Sequence, residues 1–241
     1  MKPRHLLVLA ALPFLVLLAC SVRQDVTLNP DGSGEAAVHV TVQKFFSDYL
    51  LDLAEFSGKG GRAGGVFDEK AIRTAFEQRP GVTIKAIRIP KPEELEIQLA
   101  FRSIDDLVRG QKELTDTGIV TFKNDGGTRT LRLHLDQKNF ARISAFLPSS
   151  DGSTETILGV FGPQPGVTIT EAEYLETMQF TLGDEGPKAI QASFIDIAVA
   201  VNGKLVSQKG GTVKGNTVTF RMPLLKILVL NEALDYEIVF K

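Results

Sequence analysis

The stretch VTLNPDGSGEAAVHVTV, residues 26–42, holds two runs of alternating apolar and polar residues separated by a turn. Apolar residues occupy every second position on both sides of the segment Asn29–Gly34, whose Pro, Asp and Gly residues are typical of tight turns. Such alternation places the apolar side chains on one face of a strand. The stretch therefore predicts a β-hairpin with one buried face and a sheet that extends outward from it.

Further strand and helix patterns surround this hairpin. Strand-like alternation recurs at 82–89, 95–101, 119–122, 131–135, 195–201, 217–222 and 236–240. Apolar residues at helical spacing predict amphipathic helices at 44–56, 68–79 and 137–147. A sheet with one apolar face needs helices to cover it, so the predicted fold is α+β: an antiparallel sheet covered by amphipathic helices. The alternative is a partly closed barrel with helices plugging one mouth.

Residues 149–187 differ in pattern from the preceding strands, because turn residues surround helical patterns there. Thr170 and Glu173 have the spacing of a capping box, which predicts a helix start there. The segment is too short for a core of its own. It predicts a helical excursion within a single α+β domain that spans residues 26–241.

The N-terminus has the features of a targeting segment. Two basic residues, Lys2 and Arg4, precede an apolar run at 6–18 that is shorter than the roughly 20 residues needed to cross a bilayer. Leu17 and Ala19 before Cys20 resemble the lipobox of bacterial lipoprotein signals. This resemblance implies a signal peptide at 1–19, diacylation of Cys20 and a lipidated tether at 20–25. The alternative is a free thiol at Cys20, after an ordinary cleaved signal.

Charge and anchor together predict a location in the bacterial cell envelope. The chain has 241 residues and a net charge of −2, which becomes about −4 without residues 1–19. An acidic balance excludes a polyanion-binding role, so no nucleic acid partner is expected. Ser21 and Val22 replace the aspartate associated with inner-membrane retention, which favours the outer membrane. The expected partner is the membrane itself, reached through the lipid anchor.

Motifs for chemistry are scarce. His39 and His134 fall on the polar faces of their strands, away from any metal-ligand spacing, and a Gly-x-Ser-x-Gly elbow is absent. Cys20 is the only cysteine of the chain, and lipidation would occupy it. The sequence therefore predicts a protein that is not an enzyme and has no cofactor and no metal site.

An aromatic stripe on the first predicted helix offers a candidate ligand site. Phe45, Phe46, Tyr49 and Phe56 lie at helical spacing beside a glycine-rich segment at 58–65. Such a stripe is most often core, but here it could also line an apolar pocket between sheet and helices. We take these four residues as candidate ligand-binding residues.

The two ends of the mature chain resemble a known family. Cys20, the Asp31–Gly34 turn before an alternating strand, and the segment GTVKGNTVTFRMP at 211–223 are similar to the LppM-type domain of bacterial lipoproteins. The resemblance implies an envelope α+β domain that binds lipid or glycolipid and has no catalytic residues. Unlike that family, this sequence has no membrane-length apolar run at its C-terminal end.

These expectations combine into one functional hypothesis and two alternatives. The hypothesis is a membrane-anchored envelope lipoprotein that binds a lipid or another amphipathic ligand. The first alternative is a surface adhesin or structural protein that binds a partner. The second is a hydrolase whose residues come together from distant positions, which would require a cleft with titratable groups.

Overall fold

The predicted hairpin lies at the centre of the larger of two sheets. In a computed structural model of the chain, Cys20–Leu28 pairs antiparallel with Gly34–Val42, which confirms the hairpin. The turn is closed by a 2.8 Å hydrogen bond from the Asn29 amide to the Ser33 carbonyl. The Asp31 carboxylate accepts hydrogen bonds from the amide and the hydroxyl of Ser33.

The structure describes residues 20–56, 66–77, 81–109, 112–143, 159–164 and 166–241. The signal peptide predicted at 1–19 and the glycine-rich segment at 58–65 lie outside these ranges, as do residues 149–158 of the predicted excursion. Every element named below belongs to residues 20–241.

The strands, in chain order, are β1 (Cys20–Leu28), β2 (Gly34–Val42), β3 (Val82–Lys91), β4 (Glu94–Phe101), β5 (Val120–Asp125), β6 (Thr128–Leu135), β7 (Phe194–Val201), β8 (Leu205–Lys209), β9 (Thr212–Lys214), β10 (Thr217–Pro223) and β11 (Leu234–Phe240). The helices are α1 (Lys44–Phe56), α2 (Glu69–Glu77), α3 (Ile104–Arg109), α4 (Lys112–Thr117), α5 (Gln137–Ile143), α6 (Glu171–Leu182), α7 (Glu185–Ala192) and α8 (Leu224–Val229).

The strands form two sheets where the sequence predicts one. The larger sheet has the order β3-β4-β2-β1-β7-β10-β9 and the smaller one β5-β6-β11-β8. The α+β class is confirmed, and neither sheet closes into a barrel within the described residues. The prediction of purely antiparallel pairing is wrong at one place, because β1 and β7 are parallel. Parallel neighbours need a long crossover, which the many elements between β1 and β7 provide.

The larger sheet has one apolar and one polar face. On β2 the residues Ala36, Val38, Val40 and Val42 are buried and join the hydrophobic core. The opposite face carries exposed ion pairs such as Arg23 with Asp25. This two-sided pattern follows directly from the alternation in the sequence.

Helices cover the core at the edges of the sheets. α2 packs on β3, α3 and α4 pack on β5, and α6, α7 and α8 pack on one another. Thr170 and Glu173 form the predicted capping box at the start of α6, where the Glu173 amide donates to the Thr170 hydroxyl at 3.2 Å. The described part of the excursion thus contains helix α6 and the start of α7.

Two findings concern the chain's relation to a membrane. Residues 20–25, predicted as a tether, form the first part of β1 and pair on both sides, with β2 and with β7 from Val22 onward. Within the described ranges, no helix combines the length and the hydropathy required to cross a bilayer. The apolar run at 222–230 is instead the end of β10 followed by α8, whose five apolar side chains are all buried.

The junction between the two sheets depends on a pair of glycines. Gly210, with φ of +80°, and Gly211 connect β8 of the smaller sheet to β9 of the larger one. A Cβ atom on Gly211 would lie 2.7 Å from the Val218 side chain and 2.8 Å from the Phe220 ring. Glycine therefore allows the two sheets to approach closely at this edge.

Candidate ligand-binding cavity

An apolar cavity of about 190 Å³ lies between the two sheets. The larger sheet contributes Gln24, Val26, Leu28, Ala36, Phe101, Ile197, Val199, Phe220 and Met222. The smaller sheet contributes Val120, Leu131, Arg132, Leu133, Tyr236, Glu237 and Ile238, and Ile104, Leu107, Val108 and Ile119 come from α3 and the chain leading to β5. The walls are therefore almost entirely hydrocarbon.

Strand alternation explains why these walls are apolar. Leu131 and Leu133 on β6 lie opposite Ile238 and Tyr236 on β11, so all four share one face of the smaller sheet. That face turns toward the apolar face of the larger sheet. Because packed sheets lie about 10 Å apart, short side chains between them leave space unfilled.

Ala36 occupies such a position. It lies opposite Val26 of β1 and Leu99 of β4, is buried, and has the shortest side chain among the residues that line the cavity. An apolar cavity of about 150 Å³ accommodates benzene, and pockets for drug-sized ligands measure about 300–1,000 Å³. The cavity therefore has room for one slim apolar group.

One aromatic pair bridges the gap between the sheets beside the cavity. Phe220 of β10 and Tyr236 of β11 meet edge to face, with ring centroids 5.6 Å apart and planes at 74°. Burial raises the pKa of Tyr236, so its hydroxyl is uncharged at neutral pH. This hydroxyl lies 3.4 Å from the carbonyl oxygen of Arg221, to which it donates a long hydrogen bond.

Charged groups near the smaller sheet are paired on its outer face. Asp235 accepts hydrogen bonds from the Arg132 guanidinium at 2.7 and 3.0 Å and from the Lys209 ammonium at 2.7 Å. These hydrogen bonds hold the pKa of Asp235 well below its usual range. His134 lies 3.5 Å from both Asp235 and Asp136. The Asp235 carboxylate faces away from the cavity, because Asp235 alternates along β11 with Tyr236, whose side chain faces the cavity. Of this cluster, only Arg132 also borders the cavity among the described residues.

The cavity and this cluster differ in the kinds of side chain that they offer. Among the described residues, no group of three or more His, Cys, Asp or Glu side chains could hold a metal ion. No Ser, Thr, Cys or His is present among the described residues that line the cavity. The cavity is suited to binding an apolar ligand, because its walls exclude water from the ligand.

Two of the four residues proposed from the sequence as ligand-binding, Phe45 and Phe46, lie away from the cavity. Phe46 is buried in the core, with its ring edge to face against those of Phe45 and Phe161, and Phe45 is partly buried against the same core. Neither of them lines the cavity. Tyr49 and Phe56 belong to α1, but their side chains lie outside the described part, so a ligand-binding role for this stripe stays a prediction.

The sequence does not predict this cavity, because alternation indicates which residues share a face of a strand but not which other sheet packs against that face. The sequence places the expected pocket between sheet and helices, whereas this cavity lies between two sheets with α3 at one side. One signal was present in the sequence: Gln24 interrupts the apolar positions Val22, Val26 and Leu28. A polar residue at a core-facing position is a common sign of a site.

Comparisons with known proteins give one structural likeness. No protein-family model matches the chain, and no curated protein matches it. Among solved structures, it is similar to the NMR structure of the folded domain of the Mycobacterium tuberculosis LppM protein. The TM-score is 0.45 and the identity 10%, over 93% of this chain and 90% of that one. That neighbour carries the name of the family that the two ends of the sequence resemble, and a likeness at this level leaves function to the chain's own residues.

Proposed function

We propose that this chain is a lipid-anchored protein of the bacterial cell envelope that binds an apolar or amphipathic molecule and is not an enzyme. The observation that carries the proposal is the apolar cavity of about 190 Å³ between the sheets. Its walls are almost entirely hydrocarbon, so a guest that fills it would remove apolar surface from water.

The N-terminal sequence supports the anchor. Lys2 and Arg4, the apolar run at 6–18 and the residues around Cys20 have the order found in lipoprotein signals. Cys20 is also the first residue of β1, the central strand of the larger sheet. An acyl group on Cys20 would therefore place one end of that sheet directly at the membrane surface, and Ser21 and Val22 favour the outer membrane.

We propose no catalytic activity because of the positions of the polar side chains relative to the cavity. The Asp235 carboxylate is engaged by Arg132 and Lys209 on the outer face of the smaller sheet. The cavity wall is almost entirely hydrocarbon, and of its charged residues Arg132 is bound to Asp235 while Glu237 alternates along β11 with the cavity-facing Tyr236. A hydrolase would require a nucleophile or a paired acid and base at the cavity.

A partner-binding surface is the second candidate, favoured by one side chain. Phe180 on α6 is 95% exposed. Single exposed apolar residues are common on soluble surfaces, and protein interfaces usually show a contiguous patch. The cavity is therefore the stronger basis for the proposed function.

The test compares a filled cavity with a matched control. Residues 20–241 carrying Cys20→Ser are purified from envelope-free cytosolic expression and from periplasmic expression, without detergent, and extracted for bound lipid by mass spectrometry. We expect a stoichiometric apolar or amphipathic molecule in the periplasmic protein. Ala36→Leu should abolish it because the added carbons occupy the cavity.

The control variant is Ala37→Leu. Ala37 is adjacent to Ala36 on β2 but exposed on the opposite face of the sheet. It should retain the bound molecule. Equal lipid content in both variants, or no bound molecule and no binding of small apolar probes in the unsubstituted protein, would overturn the binding proposal.

The anchor has a separate test. Cells that express the full chain with a labelled fatty acid should yield labelled protein, and Cys20→Ser should remove the label. Fractionation then assigns the labelled protein to the inner or the outer membrane. Labelling that persists in Cys20→Ser would contradict the anchor without affecting the cavity.

A further inference from the structure

Gln24 is the unusual residue of the cavity wall. It lies on β1 opposite Val38 of β2 and Ile197 of β7, on the face that carries the core side chains. It is partly buried and lines the cavity together with Val26 of the same strand and Ile197 of β7. The side-chain amide of Gln24 therefore lies in a cavity wall whose other side chains are almost all hydrocarbon.

The side-chain amide of Gln24 makes no hydrogen bond with any residue that the structure describes. The other polar residues at the wall are differently placed. The Arg132 guanidinium is bound to Asp235, and the Tyr236 hydroxyl donates to the Arg221 carbonyl. Glu237 alternates along β11 with the cavity-facing Tyr236, so its carboxylate belongs to the outer face of the sheet. The Gln24 side chain therefore has two donors and a carbonyl acceptor free to bind a guest in the cavity.

A polar amide is unusual at this position, because leucine or valine would fit the apolar face. A ligand with one well-placed polar group would give the Gln24 amide a hydrogen-bond partner. A charge in an apolar cavity needs an opposite charge, and Gln24 is neutral. The Arg132 guanidinium at the wall is bound to Asp235, and Glu237 alternates along β11 with the cavity-facing Tyr236, so an ionised guest finds no free counter-charge on this face.

We propose that Gln24 determines the class of ligand: an uncharged, single-chain amphiphile, such as an alcohol, amide or ester, whose polar group bonds to the Gln24 amide while its hydrocarbon fills the cavity. This proposal rests on the proposed function, because it needs an occupied cavity. The volume of about 190 Å³ restricts the guest to one slim chain and leaves no room for several acyl chains side by side.

The experiment uses three six-carbon probes that differ only in their polar end: n-hexane, 1-hexanol and hexanoate. Binding to residues 20–241 with Cys20→Ser, the part of the chain that contains every described element, is followed by the NMR shifts of cavity methyl groups. We expect the unsubstituted protein to bind hexanol at least about 5-fold more tightly than hexanoate. Gln24→Leu should weaken hexanol binding about 2- to 10-fold and leave hexane binding equal or stronger.

Two further variants serve as controls for the position of the substitution and for distortion of the strand. Thr27→Val makes a polar-to-apolar change on the opposite face of the same strand, so its hexanol affinity should equal that of the unsubstituted protein. Gln24→Met repeats the loss of the amide with a more flexible side chain, in case Gln24→Leu distorts the strand.

The outcomes separate the two proposals. Unchanged hexanol affinity in both Gln24 variants, with hexane still bound, would overturn the role of Gln24 and leave the cavity function intact. Hexanoate bound as tightly as hexanol would overturn the uncharged class. If the unsubstituted protein binds none of the three probes, the proposed function itself fails.

Discussion

Phe220 of β10 and Tyr236 of β11 form the aromatic contact that spans the two sheets, edge to face at 5.6 Å. Both rings also line the cavity, so the same pair that joins the sheets limits the space between them. Edge-to-face pairs contribute about 0.5–1.5 kcal/mol beyond their buried area.

Removing one ring should both destabilise the protein and enlarge the cavity. Phe220 is 6% exposed, so Phe220→Ala should lower the free energy of unfolding by about 3–5 kcal/mol in urea titrations. Tyr236→Phe keeps the ring contact and loses only the long hydrogen bond to Arg221, so it should cost less than about 1 kcal/mol. Equal losses in the two variants would show that the ring pair does not join the sheets.

Arg129 joins the β1–β2 turn to the smaller sheet. Its guanidinium donates to the Pro30 carbonyl at 2.7 Å and lies 3.9 Å from the Asp105 carboxylate, with the side chain 10% exposed. Arg129→Met keeps much of the packing but removes the donor. It should lower the free energy of unfolding by about 1–3 kcal/mol.

Arg129→Lys is the matched control for charge. Lysine is a point charge without the planar fork, so it should recover little of the loss. Full stability in Arg129→Lys would show that an ammonium donor can replace the guanidinium and would contradict a role for the planar fork.

The Asp235 cluster predicts a specific acid dependence. The pKa of Asp235 is lowered in the folded protein, first by the hydrogen bond from Arg132 and then by that from Lys209. A lowered carboxyl pKa stabilises the fold above the unfolded value of about 3.9, and this stability is lost as the pH falls below it. The difference in unfolding midpoint between the unsubstituted protein and Asp235→Asn should therefore be largest near neutral pH and shrink below about pH 4.

Salt provides the control for this prediction. Arg132 is 43% and Lys209 65% exposed, so added salt should reduce the same difference at neutral pH. Asp136, whose pKa is also lowered, by the amide of Asn139 that donates to it, should leave part of the acid dependence in Asp235→Asn. A difference that is constant with pH would contradict the assignment to Asp235.

Local patterns predicted the local structure well, because each depends on residues near in sequence. The hairpin at 26–42, the helix at 44–56 and the capping box of Thr170 with Glu173 are all present. The pairing of β1 with β7 and the division into two sheets depend on contacts between residues far apart in the chain. Alternation places a residue on a face, but it does not say which strand becomes the neighbour.

The same limit explains what was missed at the site. Helix α8 at Leu224–Val229 buries every side chain except that of Lys226, so it shows no polar stripe and no helical periodicity. The cavity arises where Ala36 lies opposite Val26, a property of two strands together. Only the position of Gln24 on an otherwise apolar strand face was visible in the sequence alone.

Helix α6 allows two apolar residues two positions apart to be compared in one element. Met178 is 2% exposed and Phe180 is 95% exposed. Met178→Ala should lower the free energy of unfolding by about 2–4 kcal/mol because it leaves a hole in the core. Phe180→Ala removes a larger side chain from the surface and should change stability by less than about 0.5 kcal/mol. Guanidinium unfolding curves of the two variants would check this, and a large loss in Phe180→Ala would show that Phe180 is covered in solution, as by a second copy of the chain.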